Sequence, residues 1–337
     1  MTGVRTFDLI TVHGEWLITV AEPPRFMICR KCQKIESVYH RAYSGEYLCK
    51  KCFMRSIENK TAKTISRYSM IGYGDRVVVG VSGGKDSLSL LYVLKMLFDQ
   101  HPNNGNELVG ITIDEGIKGY RDESLQIVKD FCQRLGVESK VLSYKSLFEV
   151  DMDEAMVLRP SEKMSSCSMC GTLRRRAIDI AAETLDADVV ATAHNVDDQL
   201  QTFMINMLAG DVERIGWIYP EPVKYASGMK KVKPFIEIYE YEIAFYALQR
   251  EIPFQSEECP YMNESIRTDL REFLNKLERD HPGIKHSAYN SMMKISRVLR
   301  SRQSTEGKKC SICRHDSTGD ICSVCQTINV LTSNKQI

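Results

Sequence analysis

The middle of the chain alternates between two kinds of hydrophobic pattern. Short runs rich in β-branched residues predict strands, and longer stretches with an apolar residue every three or four positions predict helices. The predicted strands cover 77–81, 107–113, 139–143, 188–193 and 232–238, and the predicted helices cover 86–99, 121–135, 171–185, 197–209 and 239–251. Strand and helix in strict alternation predict a doubly wound α/β fold, with a parallel sheet, right-handed crossovers and helices on both faces.

Several polar residues follow the predicted strands directly. Ligands of parallel sheets bind beyond the carboxyl ends of the strands. The loop 82–87, Asp114, His194 and the pair Asp197 and Asp198 all occupy such positions. We therefore expect one crevice to contain them.

The composition places the protein in an ordinary class. The chain of 337 residues is 43% hydrophobic and 26% charged, which is typical of a soluble protein with two or three domains. No apolar run approaches the roughly 18 residues of a membrane span, and residues 1–26 lack the basic-then-apolar order of a signal peptide. We therefore expect a cytoplasmic protein without a membrane partner. Because Met27 directly precedes the first cysteine-rich segment, residues 1–26 are an extension or a mis-assigned start.

Ten of the twelve cysteines fall in five CxxC pairs, which are typical of metal ligands in a chain without an export signal. Four of these pairs form two sets, with sixteen and eight residues between the pairs. Four thiolates at such spacing suit a tetrahedral zinc ion in a small ribbon; redox or iron chemistry is the alternative. The first predicted zinc ribbon, at 27–60, has Cys29, Cys32, Cys49 and Cys52, and the second, at 304–330, has Cys310, Cys313, Cys322 and Cys325.

Positive charge is concentrated near both cysteine-rich ends. Ten Lys and Arg face three acids between Cys29 and Arg67, and seven face one acid between Lys294 and Arg314, although the formal net charge is only +1. Basic ends are suited to a polyphosphate partner such as a nucleic acid, and a solvated surface is the alternative interpretation.

The sequence VVVGVSGGKDS at 77–87 joins a predicted strand to a predicted helix. Small residues let backbone N–H groups at a helix start approach an anion, and Lys85 adds a positive charge. The spacing is not that of a P-loop, because Val79 replaces its first glycine and Asp86 follows the lysine. A carboxylate repels phosphate, so Asp86 predicts a magnesium ion between them. A simple glycine turn with a helix cap is the alternative.

These residues resemble a known family. SGGKDS at 82–87 is similar to the SGGxDS loop of the PP-loop ATP pyrophosphatases, and TAHNVDDQLQT at 192–202 is similar to their GHNxDDxxQT signature, with Ala193 in place of glycine. The two cysteine-rich ends narrow the resemblance to the TtuA/TtcA tRNA 2-thiolation family, in particular its two-zinc-ribbon group. The resemblance covers nearly everything from Cys29 to Cys325.

The resemblance implies an activity and a set of nucleotide contacts. Family members split ATP between its α and β phosphates, attach AMP to the C2 oxygen of a tRNA uridine, and replace that oxygen with sulfur. Ile113 matches the position whose main chain holds adenine, and Arg174 matches a basic residue that contacts the phosphates. The implied nucleotide-binding residues are Gly80, Val81, Ser82, Gly83, Gly84, Lys85, Asp86, Ser87, Ile113, Arg174 and Ala193.

Aspartates at two strand ends receive different roles. Asp198 matches a catalytic aspartate of the family, which positions magnesium or the uridine, and Lys85 acts with it. Asp197 is predicted to cap the helix that it opens. Asp114 either contacts ribose or the metal, or is a plain strand-end aspartate, and His194 is expected to hold its loop.

Three further cysteines match the family's ligands of a [4Fe–4S] cluster, namely Cys167, Cys170 and Cys259, which we call the cysteine trio. Three protein thiolates leave one iron of a four-iron cluster open. Zinc with an unseen fourth ligand is one alternative. A persulfide on Cys167 or Cys170, released by attack of Cys259 and favoured by the positive field of Arg174, Arg175 and Arg176, is another. Cys132 lies on the apolar stripe of its helix and is predicted to belong to the core.

The sequence thus predicts an ATP-dependent tRNA uridine 2-sulfurtransferase with a PP-loop domain at 61–255 and a helical appendage at 256–303 that carries Cys259. The expected cofactors are ATP, Mg²⁺, a [4Fe–4S] cluster and two structural Zn²⁺ ions. The expected partners are tRNA, a second copy of the chain, and either a ubiquitin-like sulfur carrier protein or free sulfide. The wobble uridine is the expected target. The alternatives are the thymine-loop uridine, another PP-loop ligase, and an RNA-binding module whose nucleotide site has decayed.

Overall fold

The computed structural model describes residues 27–159, 164–222, 228–262, 266–303, 308–317 and 319–334, so the predicted extension at 1–26 lies outside the described residues. The first cysteine-rich segment contains the antiparallel strands β1 (Tyr39–Arg41) and β2 (Glu46–Leu48), followed by helix α1 (Lys50–Arg67). Ile57, Thr61 and Thr64 on α1 are buried. Helix α1 therefore runs without a break through the division predicted at residue 60.

A five-stranded parallel sheet forms the centre of the protein. Its strands, in the spatial order β5-β4-β3-β6-β7, are β3 (Arg76–Gly80), β4 (Glu107–Asp114), β5 (Glu138–Ser143), β6 (Val189–Ala191) and β7 (Lys230–Val232). The connecting helices are α2 (Lys85–Gln100), α3 (Arg121–Leu135), α4 (Tyr144–Phe148), α5 (Met152–Leu158), α6 (Ser166–Thr184), α7 (Val196–Leu208) and α8 (Val212–Gly216). The predicted doubly wound α/β class is confirmed.

The chain continues beyond the sheet as helices and a second small ribbon. The later elements are α9 (Glu240–Gln249), α10 (Ile266–Asp280), α11 (Ile284–Arg300), the antiparallel strands β8 (Lys308–Lys309) and β9 (Asp316–Ser317), and α12 (Ser323–Asn334). Helices α10 and α11 pack on α7, and α12 packs on α5 and α6. Within the described residues, no helix is long and apolar enough to cross a membrane.

The fifth strand was predicted at 232–238; it is present, but at Lys230–Val232, so the predicted bounds are wrong. Strand β7 ends at Val232, and the next residues form turns, in which the N–H of Ile238 donates to the carbonyl of Phe235 at 2.8 Å. Phe235, Ile236 and Ile238 are fully buried. Their apolar run reflects a turn packed into the core, which a hydrophobicity pattern does not distinguish from a buried strand.

The two faces of the sheet belong to two different apolar cores. Neighbouring residues of a strand point to opposite faces, and Val77 and Val79 pack in one core while Val78 packs in the other. The first core also contains Phe53 from α1, and the second also contains Leu331 from α12. The two cysteine-rich ends therefore extend the core on opposite faces. Cys132 is 1% exposed and lies in the first core, as predicted.

Candidate nucleotide and cysteine site

The loop between β3 and α2 is held in shape by its own hydroxyl groups. Ser87 Oγ accepts a hydrogen bond from the N–H of Ser82 at 3.1 Å and donates to the carbonyl of Gly84 at 3.0 Å. Gly83 has a φ of +89°, and a Cβ atom there would lie 2.7 Å from Ser124 Cβ. Only glycine fits this position, since α3 leaves no room for a side chain and the left-handed backbone disfavours one.

A cavity of about 410 Å³ opens at this loop, at the carboxyl ends of β3, β4 and β6. Its lining includes Glu115, Arg121, Thr192 and His194, which were not among the predicted nucleotide contacts. The predicted site residues that line it are Gly80, Val81, Ser82, Gly84, Asp86, Ser87, Ile113, Arg174, Ala193 and Asp198. Of the residues expected in one crevice, most of the loop 82–87, His194 and Asp198 line this cavity, whereas Asp114 and Asp197 do not.

Lys85 does not line this cavity but is paired with two carboxylates. Its Nζ lies 2.9 Å from Glu240 Oε1 and 3.1 Å from Asp86 Oδ2. Burial alone would lower the pKa of Lys85, but the two carboxylates raise it. Lys85 in turn lowers the pKa of Glu240 to about 2. Glu240 was not predicted as a site residue, because its partner Lys85 is 155 residues away in sequence.

The start of α7 differs from the prediction. Asn195 is the helix cap: its Oδ1 accepts from the N–H of Asp198 at 3.1 Å, and Asp198 Oδ2 accepts from the N–H of Asn195 at 3.1 Å. The predicted cap, Asp197, is instead buried, accepts from the N–H of Glu240 at 2.8 Å and forms an ion pair with Lys285. The prediction of Asp197 as the cap is wrong because a buried cation competes for its carboxylate.

Two titratable groups at the cavity have displaced pKa values. Burial, assisted by the nearby negative charge of Asp86, raises the pKa of Asp198 to about 7. Desolvation and the positive charge of Lys233 lower the pKa of His194 to about 3, so its imidazole is neutral. His194 Nδ1 lies 2.8 Å from Thr192 Oγ1, which agrees with the expected role in holding the loop.

Glu115, rather than Asp114, faces the cavity. Asp114 Oδ1 accepts from the N–H of Gly116 at 2.9 Å, as a plain strand-end aspartate does. Glu115 is 3% exposed and lies 2.7 Å from Arg121 Nε and 2.8 Å from Arg174 Nε. The sequence does not indicate which of the adjacent acids Asp114 and Glu115 points into the cavity. The only hint was Arg121 in the first turn of the next helix, which could pair with one of them.

Arg121 joins this carboxylate to the nucleotide loop. Its Nη1 donates to the carbonyl of Ser82 at 3.0 Å, and its Nη2 donates to the carbonyl of Ile113 at 2.7 Å. The side chain of Arg121 is 6% exposed and that of Glu115 is 4% exposed. The two form a buried ion pair, in which Arg121 also makes the two hydrogen bonds to backbone carbonyls. It fixes the ends of β3 and β4 relative to each other.

The cysteine trio lies beside the cavity. Cys167 and Cys170 are on the first turns of α6, and Arg174 Nη2 donates to Cys170 Sγ at 3.2 Å. The segment that carries Cys259 packs on the same turn, since the carbonyl of Tyr261 accepts from Cys167 Sγ at 3.8 Å. Burial raises the pKa of Cys259, and the neighbouring Cys170 and Cys167 add to that effect. The structure thus brings Cys259, distant in sequence, next to Cys167 and Cys170.

Both four-cysteine sets are arranged as ligands of single ions. The four sulfurs of each set lie within 4.8 Å of one another. Cys32 Sγ is 3.8 Å from Cys49 Sγ, and Cys313 Sγ is 3.7 Å from Cys322 Sγ. Two sulfurs, each about 2.3 Å from one tetrahedral zinc ion, are about 3.8 Å apart. The residues therefore fit Zn²⁺ at both ends.

The cysteine trio is more widely spaced than these sets. Among the described residues, the two four-cysteine sets are the groups of possible metal ligands whose donor atoms all lie within 4.8 Å. The trio is not among them, and within the same part of the chain no fourth ligand completes a single-ion site there. The three sulfurs are therefore not arranged in this structure as the ligands of a single ion.

Comparisons with known proteins agree on one family. The family model of the PP-loop domain matches residues 54–278. The chain is 35% identical to cytoplasmic tRNA 2-thiolation protein 1 of Laccaria bicolor, over 90% of this chain and 85% of that protein. It is 32% identical to the tRNA 2-thiolation protein NcsA of Haloferax volcanii, over 90% of this chain and 98% of that one.

A solved structure agrees with these relatives. The U34-tRNA thiolase NcsA from Methanococcus maripaludis, solved with its [4Fe–4S] cluster, superimposes with a TM-score of 0.77 at 32% identity. The match covers 90% of this chain and 96% of that one.

Proposed function

The chain belongs to the PP-loop family of tRNA 2-thiolation proteins, and we propose that it is an ATP-dependent thiolase of uridine 34, the wobble uridine of tRNA. One observation carries the proposal. The guanidinium of Arg174 contacts both Glu115 in the nucleotide cavity and Cys170 of the cysteine trio. Activation of a base and delivery of sulfur to it require these two sites to be adjacent.

ATP is the first substrate in this proposal. The loop 82–87 presents N–H groups to the phosphates, the main chain of Ile113 holds adenine, and Arg174 contacts phosphate. Lys85 exchanges its pairs with Glu240 and Asp86 for the phosphates when ATP binds. Ala193 lines the cavity next to the nucleotide. Asp86 and Asp198 supply carboxylates for Mg²⁺, the ion that lets carboxylates and phosphates share one site.

The reaction consists of two displacements, the first at the α-phosphorus of ATP and the second at C2 of the wobble uridine. The C2 oxygen of the uridine attacks the α-phosphorus of ATP, a new O–P bond forms, and pyrophosphate leaves with its bond electrons. A sulfur nucleophile then attacks C2, and AMP leaves with the former C2 oxygen. Lys85 and Arg174 stabilise the negative charge that develops on the phosphates. Asp198 positions the metal or the uridine.

The cysteine trio supplies the sulfur site. A [4Fe–4S] cluster bound by Cys167, Cys170 and Cys259 would provide an iron with an open coordination position for sulfur. Arg174 donates a hydrogen bond to the sulfur of Cys170 and so orients it. A persulfide on Cys167 or Cys170 is the alternative that uses the same residues without iron.

The remaining assignments follow the relatives and the charge distribution. The two four-cysteine sets hold structural zinc, and the basic segments around them bind tRNA phosphates. Affinity for tRNA should therefore fall steeply as the salt concentration rises. A homodimer, and a sulfur carrier protein or free sulfide as donor, remain part of the proposal. The relatives' name places the activity in the cytoplasm.

Nucleoside mass spectrometry tests the function directly. Transfer RNA from cells that lack the gene should lack 2-thiouridine at position 34, and the intact gene should restore it. A gene encoding Lys85→Ala should not restore it, and AMP release with purified tRNA should be absent in that variant. Cys167→Ser separates this proposal from an amide-forming PP-loop ligase, whose chemistry does not use the cysteine trio. Full activity of Cys167→Ser would contradict thiolation.

A further inference from the structure

A second, smaller cavity of about 130 Å³ lies between helix α1, the start of α7 and helix α11. Arg67, His286 and Asn290 in its lining are exposed, so the cavity opens to the surface at these residues. Its full lining is Lys60, Arg67, Val196, Glu237, Tyr239, His286, Tyr289 and Asn290. None of these residues belongs to the nucleotide cavity.

Two tyrosine hydroxyl groups of this lining lack a hydrogen-bond partner. Tyr239 and Tyr289 are 1% and 6% exposed, and within the described part of the chain neither Oη atom makes a hydrogen bond. Buried hydroxyl groups without a partner are rare in folded proteins because the lost hydration is not replaced. Two of them at one cavity indicate a ligand that accepts hydrogen bonds.

The charge of the lining favours an anion. Lys60 is half-buried; its Nζ lies 5.6 Å from the ring centre of Tyr43, and among the described residues no hydrogen bond or ion pair to this ammonium is found. The negative charge of Glu237 is compensated, because its carboxylate accepts from Arg67 Nη1 at 2.5 Å and from Thr64 Oγ1 at 3.2 Å. The ammonium of Lys60 therefore remains as excess positive charge.

The cavity lies behind the nucleotide site. Side chains two positions apart on a helix point about 200° apart. Val196 lines the small cavity, and Asp198 lines the nucleotide cavity. In the same way Tyr239 lines the small cavity, while its neighbour Glu240 binds Lys85. The first turn of α7 thus separates the small cavity from the nucleotide cavity. A molecule that reaches both cavities must pass around this turn.

The size of the cavity limits what enters it. An apolar cavity of about 150 Å³ accommodates one benzene molecule. The present cavity is similar in volume and is lined by polar groups, so it holds one phosphate-sized group and not a whole nucleotide. A phosphodiester that belongs to a long chain meets this limit, because only the phosphate has to enter.

We propose that this cavity binds a backbone phosphate of the tRNA substrate. The inference rests on the proposed function, which makes tRNA the polyanion that the protein handles. The phosphate oxygens accept hydrogen bonds from the hydroxyl groups of Tyr239 and Tyr289 and from the ammonium of Lys60, as phosphate contacts in nucleic-acid complexes commonly do. Such a contact fixes the position of the tRNA relative to the first turn of α7, on which Asp198 lies.

The test measures tRNA affinity over a range of salt concentrations for Lys60→Gln and Tyr289→Phe. Both variants should bind tRNA about tenfold more weakly, because each loses one hydrogen bond to a charged group. Lys60→Gln should also lower the slope of log K against log salt by about 0.7–0.9, and Tyr289→Phe should leave it unchanged. Binding of ATP should be normal in both.

Two matched controls are available. Lys129 is an exposed lysine on α3, outside both basic segments, and Lys129→Gln should bind tRNA with nearly wild-type affinity. Tyr39 has a buried hydroxyl without a partner within the described residues but does not line the cavity. Tyr39→Phe should therefore leave tRNA binding unchanged, which separates loss of the phosphate contact from loss of any buried hydroxyl.

Wild-type tRNA affinity and salt slope in both Lys60→Gln and Tyr289→Phe would overturn the inference. It is also overturned if inorganic phosphate stabilises the wild type but not Tyr289→Phe against heat while tRNA affinity is unchanged, because the cavity then binds a free anion. If the wild type itself binds no tRNA, the proposed function fails. If the wild type binds and thiolates tRNA while the variants match it, only this inference fails.

Discussion

Lys285 on α11 points its ammonium at the carboxylate of Asp197 on the first turn of α7, and the two side chains are 2% and 4% exposed. Asn275 Oδ1 on α10 also accepts from this ammonium at 2.5 Å. The N–H of Glu240, whose side chain binds Lys85, donates to Asp197 as well. The helical appendage is therefore tied to the nucleotide loop by one buried carboxylate.

Lys285→Met should reduce the free energy of unfolding by about 3–5 kcal/mol, because it leaves a buried carboxylate without its cation. Urea denaturation measures the change. The double variant Asp197→Asn/Lys285→Met should recover a large part of the loss. Lys95→Met, which removes a pair with the exposed Asp99, should cost less than about 1 kcal/mol. Equal losses in both single variants would show that burial of the Asp197 pair contributes nothing.

Asp198 predicts the pH dependence of adenylation. Its pKa is raised to about 7, so the protonated form dominates below that pH. An ionised carboxylate is needed to hold Mg²⁺, and kcat/KM for ATP should therefore rise with pH and level off above about 7, with a tenfold loss per pH unit on the acidic side. The acidic side of this pH profile is measured by following AMP release at saturating tRNA from pH 5.5 to 8.5. A rate that does not change over this range, as for a carboxyl group that is ionised throughout it, would contradict the assignment.

Gly83→Ala tests the close approach between the nucleotide loop and α3. The added methyl group would lie 2.7 Å from Ser124 Cβ on a backbone with φ of +89°, so the loop has to shift. We expect ATP affinity to fall at least tenfold and the free energy of unfolding to fall by about 1–3 kcal/mol. Gly105→Ala is the control, because its φ is also positive but nothing lies within 4 Å of the added atom. Normal ATP binding by Gly83→Ala would show that ATP binding does not depend on the close contact between the nucleotide loop and α3.

Metal analysis of cysteine variants separates the three metal sites. Cys170→Ser, purified without oxygen, should lose iron and sulfide and keep about two zinc ions per chain. Cys313→Ser should lose one zinc and keep the iron, and Cys132→Ser should keep both metals, since Cys132 lies in the core. Zinc in place of iron in the wild type would rule out the cluster, and neither metal at the cysteine trio would favour the persulfide alternative.

Local patterns predicted the fold and most of the residues that line the nucleotide cavity. The periodicity of β3 and α2, the small residues of the loop 82–87 and the spacing of the CxxC pairs each depend on neighbours in sequence. The errors arose where contacts between residues distant in sequence determine the local structure or the role of a residue. The apolar run at 233–238 is buried as turns, and Asp197 is recruited by Lys285, 88 residues away.

The residues that were missed share the same cause. Glu115, Arg121 and Glu240 are important because of partners that the fold brings to them, and no periodicity marks such partners. The sulfurs of the cysteine trio are too widely spaced for a single ion, and this too depends on the three-dimensional structure and not on the spacing in sequence.

The two cysteine-rich ends extend the core on opposite faces of one sheet, and each lies within a basic stretch of sequence. A polyanion long enough to contact both basic stretches would be held bivalently. Once one end had bound it, the other would bind at a raised effective concentration. Weakening either end should therefore reduce overall avidity far more than the loss of a few charge contacts alone.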